Sequence, residues 1–328
     1  MNNCWVDLDI RDSVVMYVET MHKSSGMRIN NLVRRIGISK GKYFDWKERL
    51  NTDNCHNCNL PKRNWLLPWE RESIIAFAKK HYADNDYFLR EGYRRLTYHM
   101  LDEDVAAVSP STVYRILKSE GLLNRWNTTK RSGKGGGFKQ PSGPHHHWHI
   151  DIKYVNCCGS FVFLISIIDG YSRYIVHHEV SMKMAGYDVA LVIQRAKDKF
   201  PDARPRIISD NGGQFISKDF HELMKFLELT HVRTSVAYPQ SNGKIERFHR
   251  SIGIECLRTN SFLSIEDARE IIAKYIEYYN HVRLHSALNY LTPEDYLNHR
   301  DKEKISVREN KLELAAKNRA LYWEKNAA

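Results

Sequence analysis

The sequence predicts a mixed α/β core preceded by all-α units, and three observations carry that prediction. Between residues 145 and 300, apolar alternation and helical periodicity follow in the order strand, strand, strand, helix, strand, helix, strand, helix. Upstream, two stretches carry helical periodicity interrupted by short breakers. Between these parts lies "RWNTTKRSGKGGGFKQPSGP", residues 125–144, with five basic residues, many glycines and no acid. Such a segment reads as a flexible linker able to lie along a phosphate backbone. The expected domains are therefore 1–54, 62–124, the linker 125–144, a core over 145–300 and a tail over 301–328.

The first helical unit reads from residues 27–49. Ile29, Leu32, Val33 and Ile36 recur at i, i+3, i+4 and i+7, one apolar helix face. Gly37 breaks that helix, and Ser39 caps a second one holding Tyr43, Phe44 and Trp46. Helix, glycine turn, helix is a helix-turn-helix pattern, and also that of any small helical hairpin. The second unit repeats the theme in residues 91–123. Tyr93, Leu96 and Met100 share one side; Ser109 then caps a helix with Pro110 at its first position. Val113, Ile116 and Leu117 form its buried face and Gly121 ends it. Outward residues, Arg115 and Lys118 among them, suit phosphates and base edges.

The core begins at "HHHWHIDIKYVNCCGSFVFLISIIDGYSRYIVHHEV", which reads as three strands with turns at 156–160 and 169–173. A helix at about 187–199, a strand "RPRIISD", a helix at about 217–228 and a short strand "HVRTSVA" follow. The loop "YPQSNG" then opens a long helix from Lys244. In the first strand Ile150, Ile152 and Tyr154 alternate to one face, so Asp151 lies on the other with His149 and Lys153. A carboxylate in a strand this apolar is costly without a partner.

Asp210 closes the fourth strand in "SDNGGQF". Asp-Asn-Gly is turn chemistry, so Asp210 reads as a turn former and, if strands one and four are neighbours, as a partner of Asp151. A third acid is expected from the long helix. Glu246 and Glu255 compete; they are nine residues apart, and at about 100° per residue they face opposite ways, so only one can join the site. Glu246, in the first turns, is the better placed.

Asp151, Asp210 and Glu246, in "SDNGGQF" and "YPQSNGKIERFHR", with "YYNHVRLHSALNYLTPEDYL" downstream, resemble the acidic triad and flanking words of the DDE transposase and retroviral integrase superfamily. The start "NLVRRIGISKGKYFDWKERL" is similar to that of second-frame insertion-sequence transposases. The resemblance covers roughly residues 15–300. It implies a ribonuclease H-like core whose triad is catalytic and metal-binding, two Mg²⁺ ions with Mn²⁺ as a substitute, and cleavage followed by strand transfer at terminal inverted repeats. It further implies double-stranded DNA as substrate, self-association into a dimer or larger assembly on DNA, and a short first-frame protein as a further partner. An alternative is a domesticated transposase that only binds DNA. Around the triad, Asn211, Gln214, Lys244, Arg247, His249 and Arg250 are candidate DNA contacts, joined by Arg115, Lys118, Lys130, Arg131 and Lys134 outside the core.

The 328 residues carry 50 Lys and Arg against 39 Asp and Glu, a formal net charge of +11, which suits an anionic partner. A hydrophobic fraction of 42% excludes a disordered chain. No apolar run reaches membrane-spanning length, and the opening "MNNCWVDLDIRDSVV" lacks signal-peptide regions. Six cysteines are too sparse for a disulfide scaffold, so the cytoplasm is expected. Cys55 and Cys58 offer two zinc ligands where four are wanted, with no second close pair. His145, His146, His147 and His149 read as DNA-facing or simply polar. Asp169 reads as a turn residue. The tail over about 301–325 is helical in composition and packs either on the core or on another subunit.

Overall fold

The computed structural model describes residue 6 and residues 8–51, 65–83, 91–123, 140–234 and 242–326. The chain divides into two compact units, Met1–Trp65 with Ala316–Ala328, and Leu66–Ala315. Cys55, Cys58, Lys130, Arg131 and Lys134 lie outside the described residues, as does most of "YPQSNG".

The first unit holds α1 (Leu8–Ser25), α2 (Ile29–Ile36) and α3 (Lys40–Glu48). Gly37 ends α2 at φ 80, a left-handed turn that favours glycine, and Ser39 caps α3 by accepting from the Lys42 amide. Leu32 and Val33 are buried with Tyr43 and Trp46 against Val15 and Val18 of α1. α1 is the third member of this small core.

The second unit begins with α4 (Pro68–Ala83), α5 (Tyr93–Asp102) and α6 (Pro110–Ser119). Leu96, Met100, Val113, Ile116 and Leu117 close their core with Ile74 and Ala78. Ser109 caps α6 with Pro110 in its first turn, and Arg115 and Lys118 stand exposed on the outer side.

A five-stranded sheet follows: β1 (His147–Cys157), β2 (Ser160–Asp169), β3 (Ile175–Ser181), β4 (Arg206–Ser209) and β5 (Thr230–Arg233). Its order is β3-β2-β1-β4-β5. The first three strands are antiparallel neighbours, while β4 runs parallel to both β1 and β5. The long connection from β3 to β4 carries α7 (Gly186–Lys199), and α8 (Lys218–Phe226) joins β4 to β5. These two helices cover one face, packing Val189, Ile193, Phe220 and Met224 on Trp148, Ile150, Ile165 and Ile167. The other face is covered by α9 (Gly243–Ile252), a π-helical turn at Gly253–Leu257, and α10 (Ile265–His281). There Ile245, Phe248, Ile252, Ile272 and Tyr275 pack on Val155, Leu164 and Ile168. A mixed sheet with helices on both faces is the ribonuclease H-like architecture expected from the sequence.

The words downstream of the triad prove to be fasteners. Asn280 accepts from the Ile175 amide at 2.8 Å and donates to its carbonyl at 3.1 Å, which pins α10 to the sheet's edge strand. Thr292 and Asp295 form a capping box on α11 (Pro293–Leu297). The tail is one helix, α12 (Asp301–Asn326), and in its first half Arg308 holds Asp102 of α5 at 2.6 and 2.7 Å. That half of the tail thus packs on its own chain. No helix among the described residues is long and apolar enough to cross a membrane.

Candidate active site

Strand pairing brings the first two acids together. His149 of β1 lies beside Ile208 of β4 in parallel register. Two residues further along each chain stand Asp151 and Asp210, on adjacent strands about 4.8 Å apart. Asp210 is the first residue past β4 and is exposed. Its Oδ1 accepts from the Gly212 amide at 3.0 Å, a side-chain turn that fixes the carboxyl at the sheet's edge. Asp151 stays inside β1 and is 20% exposed.

Helix α9 lies along β1 on the face that Asp151 uses. Three contacts set its direction. Asn242, just before the helix, lies beside His149. His249 Nδ1 is 3.3 Å from Asp151 Oδ2. A Cβ on Gly253 would meet Lys153 Cε at 3.6 Å. Helix and strand therefore advance together, about one helical turn of 5.4 Å for two strand residues of 6.6 Å. Glu246, one turn before His249 on the same side of α9, is exposed. β1, the residue after β4, and α9 thus carry the three acids on neighbouring elements of the core.

The two oxygens of Asp151 are already directed. Oδ1 accepts from the Ile152 amide at 2.8 Å and Oδ2 faces the His249 ring. Two residues before Asp151, burial and the Lys244 charge push His149 down to about 3, so that ring is neutral. Burial, aided by Arg173, pushes the Lys244 ammonium down to about 7. Asp169 acts as a buried knot, accepting from the amides of His145, Tyr171 and Ser172.

Other expected contacts sort by exposure. Arg247 and Arg250 stand exposed beside Glu246. Lys244 is expected to reach outward; instead its Nζ donates to the Gly170 carbonyl at 2.6 Å, half-buried over the turn after β2. His249 is likewise turned inward, buried against Asp151 rather than presented to solvent. Asn211 is exposed, but its amide donates to the Thr234 carbonyl at 3.0 Å and ties the β4 loop to the end of β5. Gln214 is half-buried in the short turn Gly213–Phe215.

The competing acid, Glu255, sits in the π-helical turn and is spoken for. Arg283 grips both its oxygens at 2.6 and 2.7 Å, and Tyr275 donates at 2.8 Å. Burial alone would push its carboxyl up, but Arg283 outweighs burial and holds it below the usual carboxylate range. Local spacing does not show this pairing, since Arg283 is 28 residues away.

Two family models, both described as integrase core domain, match residues 141–239 and 227–293. Over residues 141–293 the chain matches the integrase core domain, and it is similar to second-frame insertion-sequence transposases, whose class is that of the DDE-type polynucleotidyl transferases. The 31.7 kDa protein of insertion element IS407 from Burkholderia multivorans (strain ATCC 17616 / 249) is 28% identical over 211 residues, 63% of this chain and 75% of that one. Transposase InsF for insertion sequence IS3A from Escherichia coli (strain K12) is 30% identical over 159 residues, covering 48% of this chain and 55% of InsF. Among solved structures, the simian T-cell lymphotropic virus intasome in complex with PP2A regulatory subunit B56 gamma aligns at TM-score 0.44 and 19% identity, over 67% of this chain and 73% of that one. The two matches overlap over residues 227–239, a span that contains β5.

Proposed function

We propose that this chain is a transposase that binds the terminal inverted repeats of an insertion sequence and catalyses metal-dependent strand cleavage and strand transfer. One observation supports the reading: parallel pairing of β1 with β4 carries Asp151 and Asp210 toward the same end of the sheet, and α9 runs beside β1 with Glu246 exposed one turn before His249, which touches Asp151. Three carboxylates, two of them exposed, are a hard oxygen donor set, which suits Mg²⁺ with its preference for few protein ligands plus water and phosphate; Mn²⁺ is a substitute. Two such ions, held by Asp151, Asp210 and Glu246, would activate the attacking oxygen and stabilise the leaving one.

The chain's own residues do the rest. The Ile152 amide and His249 orient the Asp151 oxygens, as outer partners orient a ligand. Arg247 and Arg250 flank Glu246 with fixed positive charge and grip the scissile phosphates. On α6, Arg115 and Lys118 contact the repeat sequence, and Lys130, Arg131 and Lys134 follow its backbone. Asn211 and Gln214 line the path next to Asp210. Two ends must be brought together, so the active form is a dimer or larger assembly on DNA in the bacterial cytoplasm, with a short first-frame protein as a further partner.

The test is incubation of the protein with labelled DNA carrying its element's inverted ends, in Mg²⁺ or Mn²⁺. Nicks at the repeat tips and joined products are expected. Specific binding with no product in either metal, even with the first-frame product added, would instead mark a protein that only binds DNA.

A further inference from the structure

A second cluster of metal-binding side chains is separate from the three acids. His81 is in the last turn of α4, Glu91 just precedes α5, and His99 is on α5. Their side chains are 9%, 0% and 10% exposed. Glu91 Oε2 lies 3.2 Å from His99 Nε2 and 3.6 Å from His81 Nε2, and all three atoms fall within 4.8 Å of one another. We infer that His81, Glu91 and His99 form a metal site of the zinc class that fastens the second helical domain to the catalytic core.

Geometry supports this first. Zinc binds imidazole nitrogen and carboxylate oxygen at about 2.0–2.2 Å, and a tetrahedron of that radius has edges of about 3.4 Å. The two Glu91–histidine distances bracket that edge. Three protein donors leave a fourth position for water.

The second support is how Glu91 is held. Its other oxygen, Oε1, accepts from Tyr278 Oη at 2.9 Å and from Arg95 Nη1 at 3.4 Å. The carboxylate is therefore fixed by one oxygen and presents the other to the two rings, as outer partners orient a metal ligand. A fully buried carboxylate also calls for nearby positive charge, and a divalent cation between the two rings would add to what Arg95 supplies.

Donor chemistry separates this site from the three acids. Two imidazoles with one carboxylate favour zinc over magnesium, whereas three carboxylates favour the hard ion. Tyr278 belongs to α10, so the chain Tyr278–Glu91–metal would join α4 and α5 to the helix that anchors the sheet's edge. The site stands apart from the proposed strand-transfer reaction, and its test needs no DNA.

The experiment strips the full-length protein with chelator and dialyses it against Zn²⁺ or Co²⁺ alone, with excess Mg²⁺ present. Expected are about one Zn²⁺ retained per chain, a visible tetrahedral Co²⁺ band without thiolate charge transfer, and a lower Tm after chelation. His99→Phe should lose the ion and the chelator response together, with circular dichroism confirming its fold. If that variant does not fold, the wild-type Co²⁺ spectrum decides, because a thiolate band would place the ion on cysteines. Equal retention by wild type and His99→Phe would overturn the assignment. So would no retained Zn²⁺ at all, which would leave a histidine–glutamate hydrogen-bonded cluster only.

Discussion

Glu246 and Glu255 stand nine residues apart on one unbroken helical stretch, and their surroundings are opposite. Glu246 is exposed on α9, one turn before the His249 that touches Asp151. The Glu255 side chain is only 11% exposed, held by Arg283 and Tyr275, with Arg95 at 3.9 Å. The same side chain serves two purposes. An exposed carboxylate with no cation against it keeps its oxygens available for one. A carboxylate gripped by a planar guanidinium has no capacity left, and it fixes the helix that carries its neighbour.

The largest expected effect falls on the three acids. Glu246→Gln, Asp151→Asn or Asp210→Asn should each remove several kcal/mol of transition-state stabilisation, about a thousandfold or more in strand cleavage. Tm without metal should stay the same or rise slightly, since in the proposed site each change relieves like-charge repulsion. Chelating the divalent ion from wild type should reproduce the loss. Gel analysis of labelled ends, beside a thermal melt, checks both halves.

Glu255→Gln inverts that pattern. Leaving Arg283 buried without its carboxylate should cost about 3–5 kcal/mol. At about 2–4 °C per kcal/mol for a unit of this size, that is a fall of roughly 6–20 °C in Tm. The folded carboxyl titrates below its unfolded value of 4.5, so its contribution is complete above that pH and is lost as pH falls through the folded value. The variant should therefore show a flatter acid limb in a Tm-against-pH series.

His249→Ala probes the junction of the two regions. It removes the ring beside Asp151 Oδ2 while sparing every acid. Outer-partner losses of this kind cost about 10–100-fold in metal affinity or rate, so the Mg²⁺ needed for half-maximal activity should rise accordingly. An unchanged Mg²⁺ requirement would mean that His249 only packs.

The smallest effect concerns Lys244. Its folded value of about 7 lies below the unfolded 10.5, so the unfolded chain binds the extra proton between those values and stability rises with pH. Wild type should gain Tm relative to Lys244→Met between pH 7 and 9. Parallel curves would show that the ammonium stays solvated.

Much of this was legible in the sequence, and the limits have a physical cause. Alternation in β1 places Asp151 opposite Ile150 and Ile152, and the strand order puts it next to Asp210. Ser39 and Ser109 announce their helices because capping is local chemistry. Angular separation on a helix shows that Glu246 and Glu255 cannot share a site. What local pattern does not carry is the partner across the fold. Arg283 against Glu255, Asn280 against Ile175, and Tyr278 against Glu91 join residues 28, 105 and 187 positions apart. Lys244 and His249 read as outward grips for the same reason: a helix wheel shows a direction but not the carbonyl or carboxylate that waits there.

The exposed acid, Glu246, works, and the paired acid, Glu255, holds. The most direct measurement makes Glu246→Gln and Glu255→Gln side by side and records, for each, Tm and Mg²⁺-dependent cleavage of inverted-repeat DNA below both melting points. The account predicts a crossed result. Glu246→Gln melts like wild type and cuts nothing, while Glu255→Gln melts early and still cuts. Cleavage retained by Glu246→Gln, or abolished by Glu255→Gln while it is folded, would contradict it.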